Sequence, residues 1–183
     1  MGLTPHVPQE PKPRYNLAPS QTGLIAREHP ETNQRELVAL KWGLVPHWSK
    51  DAKIGSKLIN ARSETAAGKT SFRDGMKYRR CLVAADGWYE WQVTPGGKVP
   101  TFIQCVGTGG DVVPFFFAGL WSSWRPKDQP DSEWLETFTI LTRAACPELN
   151  AVHDRMPVIL PASAYSAWLD RTMTNGAAAG DVL

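Results

Sequence analysis

Apolar and polar residues alternate through several short segments of the chain, and this period of two is typical of strands with one buried face. Residues 36–42 (ELVALKW) follow the alternation, whereas residues 81–85 (CLVAA) form an unbroken apolar run that predicts a buried strand. The turn signal Asp86–Gly87 follows that run, and the chain resumes as a strand over residues 88–91. Similar patterns predict further strands over residues 99–106, 113–120, 137–142 and 158–160.

Helical patterns are short and lie between or after the predicted strands. Residues 63–67 and 72–78 predict two brief helices, and residues 163–169 predict an amphipathic helix near the end of the chain. Neither an internal repeat nor a convincing linker interrupts the chain. We therefore predict a single β-rich α+β domain with helices at its periphery.

The two ends of the chain lack this periodicity. Residues 1–13 are rich in proline and predict an extended or disordered segment. Residues 174–183 are mostly small, with several glycines and alanines, and predict a frayed tail. The domain itself is expected to span residues 14–173.

Composition excludes several classes of protein. Hydrophobic residues make up 42% of the 183 positions, which is too many for a disordered chain, and the net charge of +2 does not by itself indicate a nucleic-acid partner. The three cysteines are widely spaced and form no C-x-x-C pair, so we expect no zinc site, no other cofactor and no disulfide framework. A signal-peptide pattern and a long apolar run are both missing, which predicts a cytoplasmic protein without a membrane partner.

Glu90 is unusual because it lies among three aromatic residues directly after a predicted buried strand. Aromatic neighbours remove water from a carboxyl group, which raises its pKa towards the range of an acid–base catalyst. Strand alternation also permits a second interpretation, in which Glu90 points to solvent on the face opposite Tyr89 and Trp91.

His153 and Asn60 are two further candidates. A histidine followed by the carboxylate of Asp154 can act as a general acid–base group, or it can be a buried histidine that ties a loop. Asn60 and Arg62 face the same side of an extended backbone, and an amide with a guanidinium can hold a sugar-phosphate. A turn-forming asparagine is the alternative interpretation at position 60.

Five motifs occur in a fixed order along the chain: RYNLAP at residues 14–19, WGLVPHW at 42–48, INARSET at 59–65, CLVAADGWYEW at 81–91 and HDRMP at 153–157. Together they resemble the SOS-response-associated peptidase (SRAP) family from about residue 14 to residue 169. Each motif alone is weakly specific, whereas five in order are highly specific. The resemblance implies a barrel-like fold of mixed or antiparallel strands.

The resemblance also implies a function. Proteins of this family recognise abasic sites in single-stranded DNA, and a cysteine at the mature N-terminus forms a thiazolidine crosslink with the opened sugar. By motif position, Glu90 would handle protons, His153 would assist opening of the sugar ring and Asn60 would position the reacting groups. The positions expected to contact DNA are Arg14, Asn16, Trp48, Arg62, Thr142 and Arg155. Among these, Trp48 would be a wedge beside unstacked bases and Arg62 would hold a phosphate.

The chain departs from the family pattern at its start. Gly2 stands where the family has the reactive cysteine, while Cys81 and Cys146 are expected to be inert core thiols. We therefore expect lesion binding without the thiazolidine step, in a bacterial or phage-related protein that joins the nucleoid when bound to DNA. A thiol autopeptidase or related hydrolase, and a non-catalytic interaction domain, remain alternatives, so enzymatic activity stays open.

Overall fold

The computed structural model describes residues 4–5 and 14–183. The strands among these residues are β1 (Thr4–Pro5), β2 (Thr22–Glu28), β3 (Arg35–Trp42), β4 (Asn60–Arg62), β5 (Arg80–Ala85), β6 (Trp88–Thr94), β7 (Gly97–Ile103), β8 (Phe115–Trp124), β9 (Leu135–Ala144), β10 (Arg155–Pro157) and β11 (Ile159–Leu160). The α-helices are α1 (Ser63–Ala66), α2 (Arg73–Tyr78), α3 (Tyr165–Leu169) and α4 (Gly176–Gly180), with 3₁₀ turns at Ala52–Lys57 and Ala162–Ala164.

Five strands close into a barrel in the order β3-β2-β5-β8-β9. Its neighbouring strands are antiparallel except at the closure, where β3 and β9 run parallel through the pairs Lys41–Thr137 and Trp42–Phe138. The strands β1, β4, β10 and β11 add to this sheet, while β6 and β7 form a separate two-stranded ribbon. The predicted β-rich α+β domain with a barrel-like mixed sheet is confirmed.

Both faces of the central barrel strands β5 and β8 are buried, whereas β3 buries only one face. The inner face carries one apolar cluster, to which β5 contributes Cys81 and Val83. The outer face carries a second cluster, in which Leu82 packs beneath the helices together with Met76 and Trp168. Because successive residues point to opposite faces, β5 needs apolar side chains at every position, which explains its unbroken apolar run.

The two rims of the barrel differ in chemistry. At one rim the interior is filled by Arg27, which contacts Glu36 at 2.6 Å and Glu136 at 2.6 and 3.1 Å. The Arg27 guanidinium also lies 4.1 Å from the centre of the Trp121 ring. These buried charges are paired and hydrogen-bonded, as burial requires. At the other rim, where β5 ends and β8 begins, the barrel interior opens into a cleft.

The C-terminal residues are ordered, so the prediction of a frayed tail over residues 174–183 is wrong. The Asn175 side chain accepts hydrogen bonds from the backbone of Ala177 at 3.0 Å and of Ala178 at 3.4 Å, which caps α4. Ala179 is fully buried against the outer cluster. Small residues here permit close packing against α2, which a composition argument mistook for fraying.

The prediction for residues 1–13 lies outside the described residues, apart from the backbone of Thr4–Pro5, which pairs in parallel with β3. No helix in the described part of the chain is long and apolar enough to cross a membrane.

Candidate functional site

A cleft of about 1380 Å³ opens from the barrel interior between the β6–β7 ribbon and residues 14–19. Its inner wall is aromatic, with Phe115, Phe117 and Trp88 in contact with one another. The polar side chains of the predicted site that line it are Arg14, Asn16, Asn60 and Glu90. A polar rim around an apolar interior is the usual character of a small-ligand site.

Glu90 lies on the half-buried face of β6. Its neighbours Tyr89 and Trp91 are 42% and 54% exposed, so the ribbon turns these two aromatic residues outward and the carboxylate inward. Trp88 on the same face packs edge-on against Phe115 at 6.1 Å and Phe117 at 5.9 Å between ring centres. This packing holds the Glu90 face against the barrel, so the interpretation that Glu90 points to solvent is wrong.

The environment of Glu90 raises its pKa above the ordinary value for a glutamate. Burial is the largest cause and Asp154 adds to the rise, while the nearby His153 acts in the opposite direction. The Trp88 N–H is buried and has no hydrogen-bond partner among the described residues. Glu90 therefore retains its proton to higher pH than a surface glutamate, as an acid–base group requires.

His153 is not among the residues that line this cleft, but it lies close enough to act on the charge of Glu90, and its side chain is 44% exposed. The Nδ1 atom accepts a hydrogen bond from the backbone N–H of Arg155 at 2.9 Å and lies 3.2 Å from the Asp154 carboxylate. Nδ1 also lies 3.1 Å from the Arg155 carbonyl oxygen, so it is within hydrogen-bonding distance of one donor and two acceptors. The histidine does tie a local loop, but it is not buried.

Arg155 is held by protein groups. Its guanidinium donates to both Glu64 carboxylate oxygens, at 2.7 and 3.0 Å, and to the Thr142 carbonyl at 2.6 Å and hydroxyl at 3.2 Å. The hydrogen bonds from Arg155 are the main reason that the pKa of Glu64 falls to about 2. Glu64 belongs to the motif INARSET at residues 59–65, but nothing in the sequence alone pairs positions 64 and 155.

Asn60 and Arg62 lie in β4, which runs parallel to β9 with the pairs Asn60–Ile140 and Arg62–Thr142. Both side chains are exposed, and Ala61 between them is buried, which confirms that they share one side. An asparagine in a turn is therefore the wrong interpretation at position 60. Asn60 reaches the cleft, whereas Arg62 lies outside the residues that line it.

Arg14 and Trp48 were also predicted to contact DNA, and they lie in different parts of the structure. Arg14 lines the cleft but donates to the Thr22 carbonyl at 2.7 Å and the Gln21 side chain at 2.6 Å. Trp48 is 39% exposed, and its indole N–H donates to the Thr70 carbonyl at 3.4 Å. Trp48 lines a separate small cavity and does not line the cleft.

The cysteines are free thiols at different depths. Cys81 lies inside the barrel, where burial raises its thiol pKa, so the prediction that it is a core residue is confirmed. Cys146 is only half-buried and does not belong to the core, contrary to expectation. Gly2 lies outside the described residues. Within residues 14–183, no three His, Cys, Asp or Glu side chains group closely enough to hold a metal ion.

Several known proteins are similar to this chain in sequence or in fold. The family model of the SOS response associated peptidase (SRAP) matches residues 3–183. The chain is 40% identical over 164 residues to the abasic site processing protein YoqW of Bacillus subtilis (strain 168), an alignment that covers 89% of this chain and 69% of YoqW. It is 34% identical over 184 residues to the abasic site processing protein HMCES of Gallus gallus, covering 87% of this chain and 54% of HMCES.

Two solved structures are also similar. A protein from Bacteroides thetaiotaomicron superimposes with a TM-score of 0.76 at 27% identity, over 90% of this chain and 68% of that one. A protein from Bordetella bronchiseptica superimposes with a TM-score of 0.75 at 29% identity, over 98% of this chain and 83% of that one.

Proposed function

The chain belongs to the SOS response associated peptidase family, and from that premise we propose that it binds abasic sites in single-stranded DNA through the cleft at the open barrel rim. The observation that carries the proposal is Glu90, a carboxyl group with a raised pKa that shares one aromatic-walled cleft with Asn60. The names of the relatives YoqW and HMCES, both abasic site processing proteins, support the choice of ligand.

An abasic nucleotide suits such a cleft because it lacks a base. Its bare sugar can leave the strand at low cost, and less unstacking is needed than for an intact nucleotide. Single-stranded DNA is favoured since no partner strand then resists the movement. Exposed cations near the cleft, chiefly Arg62, would contact the flanking phosphates and set the register of the strand.

The polar residues can open the sugar ring with balanced proton transfers. The hydroxyl at C1′ loses its proton to the Glu90 carboxylate, and the bond between C1′ and the ring oxygen breaks to give an aldehyde. His153 in its protonated imidazolium form donates a proton to the ring oxygen, which becomes the hydroxyl group on C4′, and the imidazole is left neutral. The Asn60 amide would hold the developing carbonyl oxygen by a hydrogen bond.

Fluorescence anisotropy with labelled single-stranded oligonucleotides tests the binding. An oligonucleotide with one abasic site should bind at least about tenfold more tightly than the intact strand, because only the abasic sugar enters the cleft. Asn60→Ala should reduce this preference, while Asn150→Ala, an exposed asparagine outside the cleft, should leave it unchanged. Equal affinity for abasic and intact strands would rule out the proposal.

Capture of the aldehyde by a small alkoxyamine tests the chemistry separately. The wild-type protein should accelerate capture from bound abasic DNA, and Glu90→Gln should lose roughly a hundredfold or more of that acceleration with binding retained. Glu133→Gln, at an exposed glutamate outside the cleft, is the matched control. Equal rates for the Glu90 and Glu133 variants would exclude proton transfer by Glu90.

A further inference from the structure

Arg79 is a half-buried arginine whose guanidinium makes no hydrogen bond and no ion pair with any residue in the range 14–183. The guanidinium lies over the ring of Trp121, whose centre is 5.6 Å away. Two other buried arginines do have protein partners. Arg80 donates to five backbone carbonyls, and Arg27 is paired with two glutamates. Arg79 thus keeps five N–H donors without an acceptor in the part of the chain that the structure describes.

Arg79 lines a small cavity, which we call the Arg79 pocket. Its polar lining residues are Arg79, His47, Thr70, Ser71, Asp74 and Ser122, and its apolar lining includes Trp48, Trp121, Leu44 and Pro46. Its volume of about 10 Å³ is the room for one water-sized group, such as a single phosphate oxygen. The hydroxyl, imidazole and guanidinium groups of the lining are donors that bind oxyanions, whereas the Asp74 carboxylate repels them.

The charges around the pocket leave Arg79 available. Asp74 is the nearest carboxylate, but it is shared with Arg73 at 3.6 Å and with His47 at 3.9 Å. Glu136 also acts on Arg79, although it is already engaged by Arg27. Burial is the largest cause that lowers the pKa of Arg79, and the positive charge of Arg171 adds to it, while Asp74 and Glu136 act in the opposite direction. An incoming anion would relieve this unfavourable arrangement.

We infer that the Arg79 pocket binds a phosphate group of single-stranded DNA at the barrel rim opposite the cleft, beside the exposed ring of Trp48. The ligand's identity rests on the proposed DNA-binding function. One phosphate oxygen enters between the Arg79 fork and the hydroxyl of Ser71, while the Trp121 ring keeps the guanidinium plane oriented. A base next to that phosphate can stack on Trp48, which is 39% exposed.

The position on the barrel separates this pocket from the abasic cleft. β8 runs from Phe115 in the wall of the cleft to Trp121 and Ser122 in the wall of the pocket. A strand that contacts both places would therefore follow the outside of the barrel from one rim to the other. The two sites can be tested independently, because an intact strand without a lesion needs only the phosphate contact.

Salt-dependent binding of an intact single-stranded oligonucleotide is the test. Arg79→Gln should weaken binding about tenfold and reduce the slope of log affinity against log salt by about 0.7, the value for one lost phosphate contact. Lys127→Gln removes the same charge from the exposed loop at the same rim and should change affinity less than about twofold. Arg79→Lys should fall between them, because it keeps the charge without the fork.

Inorganic phosphate, titrated against sodium chloride at equal ionic strength, distinguishes the sources of the ligand. The Trp121 indole resonance should shift with phosphate in the wild-type protein and not in Arg79→Gln. If phosphate shifts the Trp121 resonance in the wild-type protein, but Arg79→Gln binds DNA as tightly as the wild type does, the pocket binds phosphate without binding DNA. That result would overturn the assignment of the ligand to nucleic acid. The whole proposal would be overturned by two results together. Phosphate would cause no shift in the wild-type protein, and Arg79→Gln would leave the salt slope unchanged although its melting temperature is preserved.

These experiments distinguish failure of the Arg79 pocket from failure of the proposed abasic-site binding. Arg79-dependent binding of intact DNA without any preference for an abasic strand would contradict the cleft and support the pocket. A strong abasic preference that Arg79→Gln leaves unchanged, with an unaltered salt slope, would support the cleft and contradict the pocket.

Discussion

Replacing Glu64 by glutamine removes the charged partner of Arg155 with little change in shape. The pKa of Glu64 lies at about 2 instead of 4.5, mainly because Arg155 donates hydrogen bonds to its carboxylate. At about 1.4 kcal/mol per pH unit, this difference corresponds to roughly 3 kcal/mol of interaction. The Glu64 side chain is 49% exposed, so solvent screens the pair, and we expect Glu64→Gln to lower the free energy of unfolding by about 1 kcal/mol.

The pH dependence gives the sharper assay. Because folding lowers the pKa of Glu64, its contribution is complete above the unfolded value of 4.5 and disappears as the pH falls through about 2. Urea unfolding across this range should show a constant gap between wild type and Glu64→Gln near neutral pH, closing between these two values. Glu133→Gln, at an exposed glutamate, should follow the wild-type curve. A gap that persists unchanged at the acid end would refute the electrostatic reasoning.

The same variant should affect the site through His153. The backbone N–H of Arg155 fixes the His153 Nδ1, and the Arg155 side chain is anchored by Glu64. Loss of that anchor should allow the Arg155 segment to move, so the populations of the two neutral tautomers of His153 should change. Nitrogen chemical shifts of the imidazole measure this population. An unchanged tautomer ratio in Glu64→Gln would show that the ion pair does not position His153.

Three further predictions concern the barrel. Gly119→Ala should destabilise the fold by about 1–3 kcal/mol in urea unfolding, because a Cβ atom there would lie 3.0 Å from the Cys81 sulfur; unchanged stability would contradict this. Trp168→Phe should cost about 1–3 kcal/mol, since its indole donates to the Cys81 carbonyl at 2.9 Å, and calorimetry measures the loss. A thiol reagent should label half-buried Cys105 and Cys146 in the native protein and Cys81 only after unfolding; native labelling of Cys81 would refute its burial.

The local sequence pattern predicted the strands whose side chains are either alternately buried and exposed or nearly all buried. The alternation of residues 36–42 corresponds to β3, and the apolar run of residues 81–85 corresponds to β5. By contrast, no strand was predicted over β2 (Thr22–Glu28). Its residues Ile25 and Ala26 are buried on opposite faces, and Arg27 is buried as well, so neither alternation nor an apolar run marks it. Only the two glutamates contributed by other strands make a buried arginine acceptable there.

The sequence by itself determined the ordered motifs, the β-rich fold class and the three polar residues Asn60, Glu90 and His153 that do not suit a plain core. Tertiary structure decided what these residues do. It turned Glu90 inward through the packing of Trp88, and it gave Arg155 a carboxylate partner from a distant helix. Orientation and partnership depend on contacts between segments far apart in the chain, and no local periodicity encodes those contacts.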